Sequence, residues 1–436
     1  PYRQLSNIDI CKKHVALSIA SLRNAQRYDE VQSLFSNMPT EISIEEYSYA
    51  ISSAIISAQN TSAEAEAFCH KESLATYGVL RHEQEEIESF RLRQPQIELP
   101  IGDVDFSSGC KWFSAHSILS IALGVIFGRW DVRFSTGERK IPELSDPFES
   151  IPICPPGMLQ GSDSLPAKPD DVPSDYPFCI DWDGILADDP EHSDDIVRRV
   201  RDVLELVWKD QAEAVEKEAC EILGVRDLRD YFRKAGNGGF WMDHVRRYSK
   251  SRRKAPIYWY LRSTRGNYGL WLYYHRLDKD ILFKALVNYL DPKIRLEEDR
   301  LNLLRARKEA AGNSGSEAKK IEKEIDRLEQ FVSELHDFKD KLRRIADLHL
   351  NFDLNDGVIL NIAPLWELVP WSEPEKYWEE LEEGKYDWSH VAYQLWPQRV
   401  MEQCRKDRSI AIAHKREEFN DGNATLSKSI KGRKGQ

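Results

Sequence analysis

Three features of this chain predict an α+β fold: predominantly helical, with a mixed segment containing a β-hairpin and, beyond it, an antiparallel coiled-coil hairpin. Apolar residues recur at spacings of three and four through much of residues 1–140 and again through 279–350. One stretch, Ala255–Tyr274, alternates instead at a period of two about a polar turn. The connections between them are polar and rich in proline. With 436 residues, the chain has length for two or three domains, each burying its own core.

Residues 1–140 are expected to form a mainly helical amino-terminal lobe. Asp9–Arg27 sets Ile10, His14, Leu17, Ala20 and Leu22 near helical spacing, and Ile44–Ala58, Ala63–Tyr77 and Gln84–Leu92 repeat the pattern with acidic outer faces. Ile118–Phe127, opened by Ser114 as a cap, reads as a buried helix that stops at Gly128 and is too short to span a bilayer. From Ile141 to Pro177 the prolines crowd (Pro142, Pro147, Pro152, Pro155, Pro156, Pro166, Pro169, Pro173 and Pro177), so 141–180 is a linker or a long loop laid over a surface. A domain boundary is expected there.

Residues 181–278 form a second region. Asp194–Leu223 keeps Ile196, Val200, Val203, Leu204, Val207, Ala214, Cys220 and Leu223 on one helical side, and a short helix follows from Asp227 to Phe232 until Gly236–Gly239 interrupts it. In the hairpin, Ile257, Trp259 and Leu261 alternate with Tyr258 and Tyr260. Beyond Thr264–Asn267, Tyr268, Leu270, Leu272 and Tyr274 alternate with Gly269, Trp271 and Tyr273.

Residues 279–350 read as the two arms of the coiled coil. Val287, Leu290, Ile294, Leu301 and Leu304 line the first; Ile321, Ile325, Leu328, Val332, Leu335, Leu342 and Ile345 line the second, with Gly312–Ser316 as the turn. A pair of amphipathic helices packed on a domain is the plainer alternative. Residues 351–436 hold Trp366, Trp371, Trp378, Trp388 and Trp396, a helix through Ile412 and a flexible tail.

The charge is unevenly placed. The formal net charge is −12, yet Trp241–Arg276 carries nine Lys and Arg against Asp243 alone. A concentrated positive segment in an acidic protein points to a polyanion, and duplex DNA is the first candidate because phosphate neutralisation supplies most non-specific affinity. Arg246, Arg247, Lys250, Arg252, Arg253 and Lys254 suit phosphates. Arg262 and Arg265 flank the hairpin tip and suit a groove, where an arginine reading guanine is the commonest specific contact. Tyr258, Tyr268, His275 and Arg276 complete the expected DNA-binding set. The bland alternative for Arg246–Lys254 is pairing with nearby acidic helices.

Catalytic patterns are missing from the sequence. There is no GxxxxGK[ST] and no HExxH, and Gly236–Gly239 lacks the spacing of a dinucleotide fingerprint. The seven cysteines include no CxxC pair, which argues against a disulfide framework or structural zinc and for reduced thiols in the cytoplasm. Asp181–Asp183, Asp188–Asp189 and Asp353–Asp356 suit a nuclease metal, but no lysine stands at the matching spacing, and helix capping is the simpler role. No catalytic, cofactor-binding or metal-binding residue is expected in this chain. It opens on Pro1, shows no secretory pattern, and is expected to be a piece of a longer protein.

Several stretches together carry a family resemblance: GVIFGRWDVRFSTGER (124–139), DPFESIPICPPGML (146–159), GILADDPEHSDDIVRRVRDVLELVW (184–208), EKEACEILGVRDLRDYFRK (216–234), RRYSKSRRKAPIYWYLRSTRGNYGLWLYYHR (246–276), DLNDGVILNIAPLW (353–366), DWSHVAYQLWP (387–397) and DRSIAIAH (407–414). The chain resembles the C-terminal, target-recognition region of large adenine-specific DNA methyltransferases of the type IIG and bacteriophage-exclusion kinds, over about residues 110–414. The SRRKAPIYW and DLNDGVILN blocks are its most specific pieces. In such enzymes the methyl transfer lies upstream, in a domain that binds S-adenosylmethionine through a glycine-rich turn and holds the flipped adenine with an NPPY motif. This sequence contains neither motif, so the resemblance implies target recognition and helical scaffolding beside an upstream methyltransferase domain or subunit, with other defence-system proteins as further partners and no membrane. The rival readings are a protein-interaction module that docks a partner subunit of a defence complex and, last, an enzyme with its own nuclease site.

Overall fold

The computed structural model describes residues 4–30, 32, 35–36, 38–40, 43–77, 106–142, 146, 148–250, 253–311 and 316–419. The expected helix at Gln84–Leu92, most of the Gly312–Ser316 turn, Arg252 and the tail lie outside them. The chain separates into two compact units, residues 1–182 with 198–231, and residues 183–197 with 232–436.

The first unit is built on helices α1 (Gln4–Gln26), α2 (Ile44–Tyr77), α3 (Phe106–Ile126), most of α4 (Ile196–Trp208), α5 (Ala212–Leu223) and most of the short α6 (Leu228–Arg233). Residues 44–77 form one helix where the sequence suggests two, because no glycine or proline intervenes and Thr61 Oγ1 donates back to Ser57 O at 2.6 Å, keeping its hydroxyl inside the helix. The long stretch expected as one helix over Asp194–Leu223 is broken instead at Lys209, whose φ of 49° ends the first piece.

Helix α3 lies at the centre. Within it, Ser108–Ile126 is long and apolar enough to cross a membrane, which corrects the expectation of a stretch too short to do so. Its surroundings are those of a core helix, with 89% of that window buried inside the protein. Three of its buried polar side chains find partners there: Ser114 Oγ donates to Cys110 O at 2.8 Å, His116 Nδ1 meets Tyr231 Oη at 2.9 Å, and Ser120 Oγ donates to the buried Glu30. A Cβ on Gly124 would sit 2.1 Å from Cδ1 of Trp130, so glycine is what allows that indole to lie against the helix.

The proline-rich stretch belongs to this unit and is anchored at many points. Asp131 N donates to Gly157 O at 3.1 Å and Leu159 N to Arg129 O at 3.0 Å, and Arg23 Nη1 and Nη2 donate to the carbonyls of Asp146 and Glu149 at 2.7 Å each. Leu159, Ala167 and Ile180 bury a small core of their own beside Val172, Tyr176 and Trp182.

The second unit centres on an antiparallel sheet in the order β1 (Ile185–Ala187), β5 (Gly269–Tyr273), β4 (Tyr258–Arg262), together with a ribbon of β2 (Ser249–Lys250) and β3 (Arg253–Lys254). The β4–β5 hairpin falls where the alternation predicts it, with Tyr260 opposite Trp271. Its burial differs from that of a one-sided hairpin, since every residue of both strands except Arg262 is buried. A near-continuous apolar run, as in Tyr258–Leu261 and Leu270–Tyr273, is the pattern of a strand covered on both faces. Helix α7 (Phe240–Tyr248) supplies Phe240 and Trp241, whose rings meet Trp271 edge-on at centroid distances of 5.4 and 6.5 Å.

Helices α8 (Asp291–Ala311) and α9 (Ser316–Ala346) run side by side in opposite directions, as ion pairs Lys339–Asp291 at 2.7 Å and Lys308–Glu322 at 3.0 Å at the two ends require. Leu301 and Leu304 pack on Ile321, Ile325 and Leu328 between them. Val287, expected on this stripe, is 60% exposed. Residues 285–290 form a π-turn that adds a residue to the repeat and rotates the apolar face before α8 begins. Beyond α9, helices at Glu373–Glu382, His390–Leu395, Pro397–Lys406 and Arg408–Ala413 close the unit.

Candidate nucleic-acid interface

The basic segment starts on α7, whose position is fixed from beneath. His244 is buried, and its Nε2 accepts from Ile257 N at 3.0 Å and Tyr258 N at 3.1 Å, which places the ring proton on Nδ1. The helix therefore seats on the start of β4, and its last turn carries Arg246 and Arg247 toward the β2–β3 ribbon. In the ribbon Ser249 pairs with Lys254 and Lys250 with Arg253.

The expected DNA-binding residues divide into three groups. Arg253 and His275 are exposed, and the half-exposed side chain of Arg246 is held by Asp243 Oδ1 at 3.1 Å and Asn237 Oδ1 at 2.8 Å. Lys250 takes part through its backbone, and Arg276 is half-buried.

A second group is committed to protein partners. Lys254 lies 3.6 Å from Glu373, and Arg265 Nη1 donates to Gln330 Oε1 at 2.9 Å. Arg262 Nη2 donates to Arg265 O at 3.3 Å. The hairpin tip is thus docked on α9 and does not project. Glu334 accepts from Arg265 N at 2.9 Å and from Asn267 Nδ2 at 2.7 Å, and Thr264 Oγ1 donates to Asp337 at 2.6 Å. Burial pushes the Glu334 carboxyl up, but the hydrogen bonds from Ser263 and Asn267 outweigh it and hold the group below the usual carboxylate range.

The third group lies in the core. Arg247, Tyr258 and Tyr268 are at most 2% exposed. Burial raises the Tyr268 hydroxyl well above its ordinary pKa. The rings of Tyr258 and Tyr268, expected at the DNA surface, fill buried space instead, where large aromatic area is worth most.

The acidic clusters also have partners. Arg233 makes a two-point pair with Asp188, Nε to Oδ2 at 2.6 Å and Nη2 to Oδ1 at 3.0 Å. Lys293 binds Asp189 at 3.1 Å and Glu297 at 2.6 Å. Asp353 accepts from Asn355 N at 2.8 Å, and Asp356 accepts from His390 N and Val391 N at 2.8 Å each, so both cap short helices as expected. Glu334 and the Arg233–Asp188 pair went unnoticed in the sequence, where only the spacing of Lys293 and Glu297 offered a signal.

No family model matches the chain. Two curated proteins do. The chain is 28% identical over 205 residues to the adenine-specific methyltransferase BrxX of Escherichia coli O9:H4 (strain HS), a match covering 44% of this chain and 16% of that protein. It is 32% identical over 137 residues to the adenine-specific methyltransferase PglX of Lacticaseibacillus casei (strain Zhang), covering 31% of this chain and 10% of that protein. Over those stretches the chain is similar to adenine-specific methyltransferases. The matches span at most about a sixth of the relatives' lengths.

An S-adenosylmethionine site does not fit the residues described. Such a site needs a strand that turns through glycines into a helix at the edge of a parallel sheet. Among the described residues every strand pairing within the sheets is antiparallel, and β1 leads into the acidic run Asp188–Asp195 rather than into glycines.

Proposed function

We propose that this chain is the DNA target-recognition and scaffolding part of an adenine-specific (N6) DNA methyltransferase of a restriction–modification or phage-defence system, with methyl transfer carried by an upstream domain or subunit. Similarity to BrxX and PglX supports the methyltransferase context. The observation that carries DNA binding is the exposure of Arg253 on the ribbon and of Arg246 on the last turn of α7, two elements in contact. Exposed guanidinium groups suit the phosphate backbone, whose contacts position a protein on duplex DNA. The contact surface is accordingly smaller than the sequence suggests: the end of α7 and the ribbon, without the hairpin tip.

Fluorescence anisotropy with a mixed-sequence duplex across a salt series tests this reading. Binding that weakens steeply with salt and is lost in Arg246→Glu/Arg253→Glu supports it.

A second reading is an interaction module that docks a partner subunit of a defence complex. Its support is the inward placement of Arg247, Tyr258 and Tyr268 and the commitment of Lys254, Arg262 and Arg265 to protein groups. On that reading the same double variant leaves partner capture unchanged and there is no DNA binding to lose.

A further inference from the structure

We infer that the α8–α9 helix pair is a dimerisation surface, and that its occupant is the same surface of a second copy of this chain. A groove of about 490 Å³ runs along one flank of the pair, floored by Leu303, Leu304, Leu328 and Phe331. Leu304 belongs to the seam between the helices, but Leu303 is 63% exposed. Leu296, one heptad earlier on α8, is 39% exposed and continues the row. The seam here consists of Leu301, Leu304, Ile321 and Ile325 with Leu328 against them, a thin core for a pair of helices. An exposed apolar row beside so thin a core is the usual mark of a contact surface.

The charges at the rim select the occupant. Across the pair, Arg305 is matched to Glu329 at 2.7 Å and Lys308 to Glu322 at 3.0 Å. Glu324 and Arg327 border the same groove on α9, and among the described residues neither is in an ion pair. They stand three residues apart on one helix with opposite signs. Two copies related by a twofold axis between these positions bring each Glu324 to the other's Arg327, so the surface complements itself. An unrelated helix would have to supply a matching acid and base of its own. Helix α9, with 31 residues, is about 46 Å long, enough for an interface on the order of 1,000 Å².

Sedimentation velocity on the whole chain, from micromolar to about 100 µM, decides the matter over the range where an interface of this size reports. The expected wild-type behaviour is a reversible dimer. Leu303→Glu should raise the dimer dissociation constant by at least about tenfold with helicity unchanged by circular dichroism, since a carboxylate would be buried unpaired. Glu324→Arg should weaken the dimer, and Glu324→Arg/Arg327→Glu should restore it, a rescue that separates contact from folding. A wild-type chain that stays monomeric throughout overturns the inference. So does a dimer that ignores both Leu303→Glu and the single charge reversal.

Discussion

Glu334 ties helix α9 to the β4–β5 turn through Asn267, whose Nδ2 donates to Oε2 at 2.7 Å while the backbone of Arg265 donates to Oε1 at 2.9 Å. One buried carboxylate therefore closes the turn and fixes a helix to it. Removing it strands several donors away from water. Glu334→Ala should lower stability by about 2–3 kcal/mol, read as a shift in the urea midpoint.

The same carboxyl gives a pH signature. Its folded pKa is held below the unfolded value of about 4.3, so its stabilising contribution is complete above that pH and is lost as pH falls through the lower folded value. Between neutral pH and about pH 3, wild type should lose more stability than Glu334→Gln. Parallel acid-denaturation curves for the two would contradict this.

Asp188 is buried beneath Arg233, whose side chain stays 35% exposed. Asp188→Asn keeps the size and loses the charge. The expected cost is about 2 kcal/mol, below the roughly 3–5 kcal/mol for breaking a fully buried pair, because Arg233 recovers some hydration. Denaturant melts followed by tryptophan fluorescence measure it.

Gly124→Ala tests the packing of the first unit. The new methyl would meet the Trp130 indole at 2.1 Å, and a displaced indole or helix should cost about 1–3 kcal/mol and alter the near-ultraviolet circular dichroism.

Local periodicity carried much of this fold. The β4–β5 hairpin was legible because Ile257–Leu261 and Tyr268–Tyr274 keep period two around a polar turn. β1 was not, because three residues between acidic loops have no period to read. The apolar row of α8 was legible but out of phase at Val287, since a π-turn has no sequence mark. The candidate interface fared less well. Local charge drew attention to Trp241–Arg276, yet nothing local shows that Arg247 is buried or that Glu334 draws Arg265 toward α9; those are contacts between residues far apart in sequence.

The proposed interface makes a graded prediction. Arg265→Ala should leave DNA affinity nearly unchanged, because its guanidinium serves Gln330, while Arg253→Ala should weaken binding and lower the salt slope by about 0.9 for each phosphate no longer neutralised. Equal effects of the two variants would return the hairpin tip to the contact surface.

DNA binding by the end of α7 and the ribbon is tested most directly by the salt-dependent affinity of the intact chain for a mixed-sequence duplex, compared with Arg246→Glu/Arg253→Glu. Wild type should bind at low salt with an affinity that falls steeply as salt rises, and the double variant should not bind while keeping its fold. Absence of wild-type binding at low salt, or a double variant that binds as well as wild type, would contradict a role in DNA recognition.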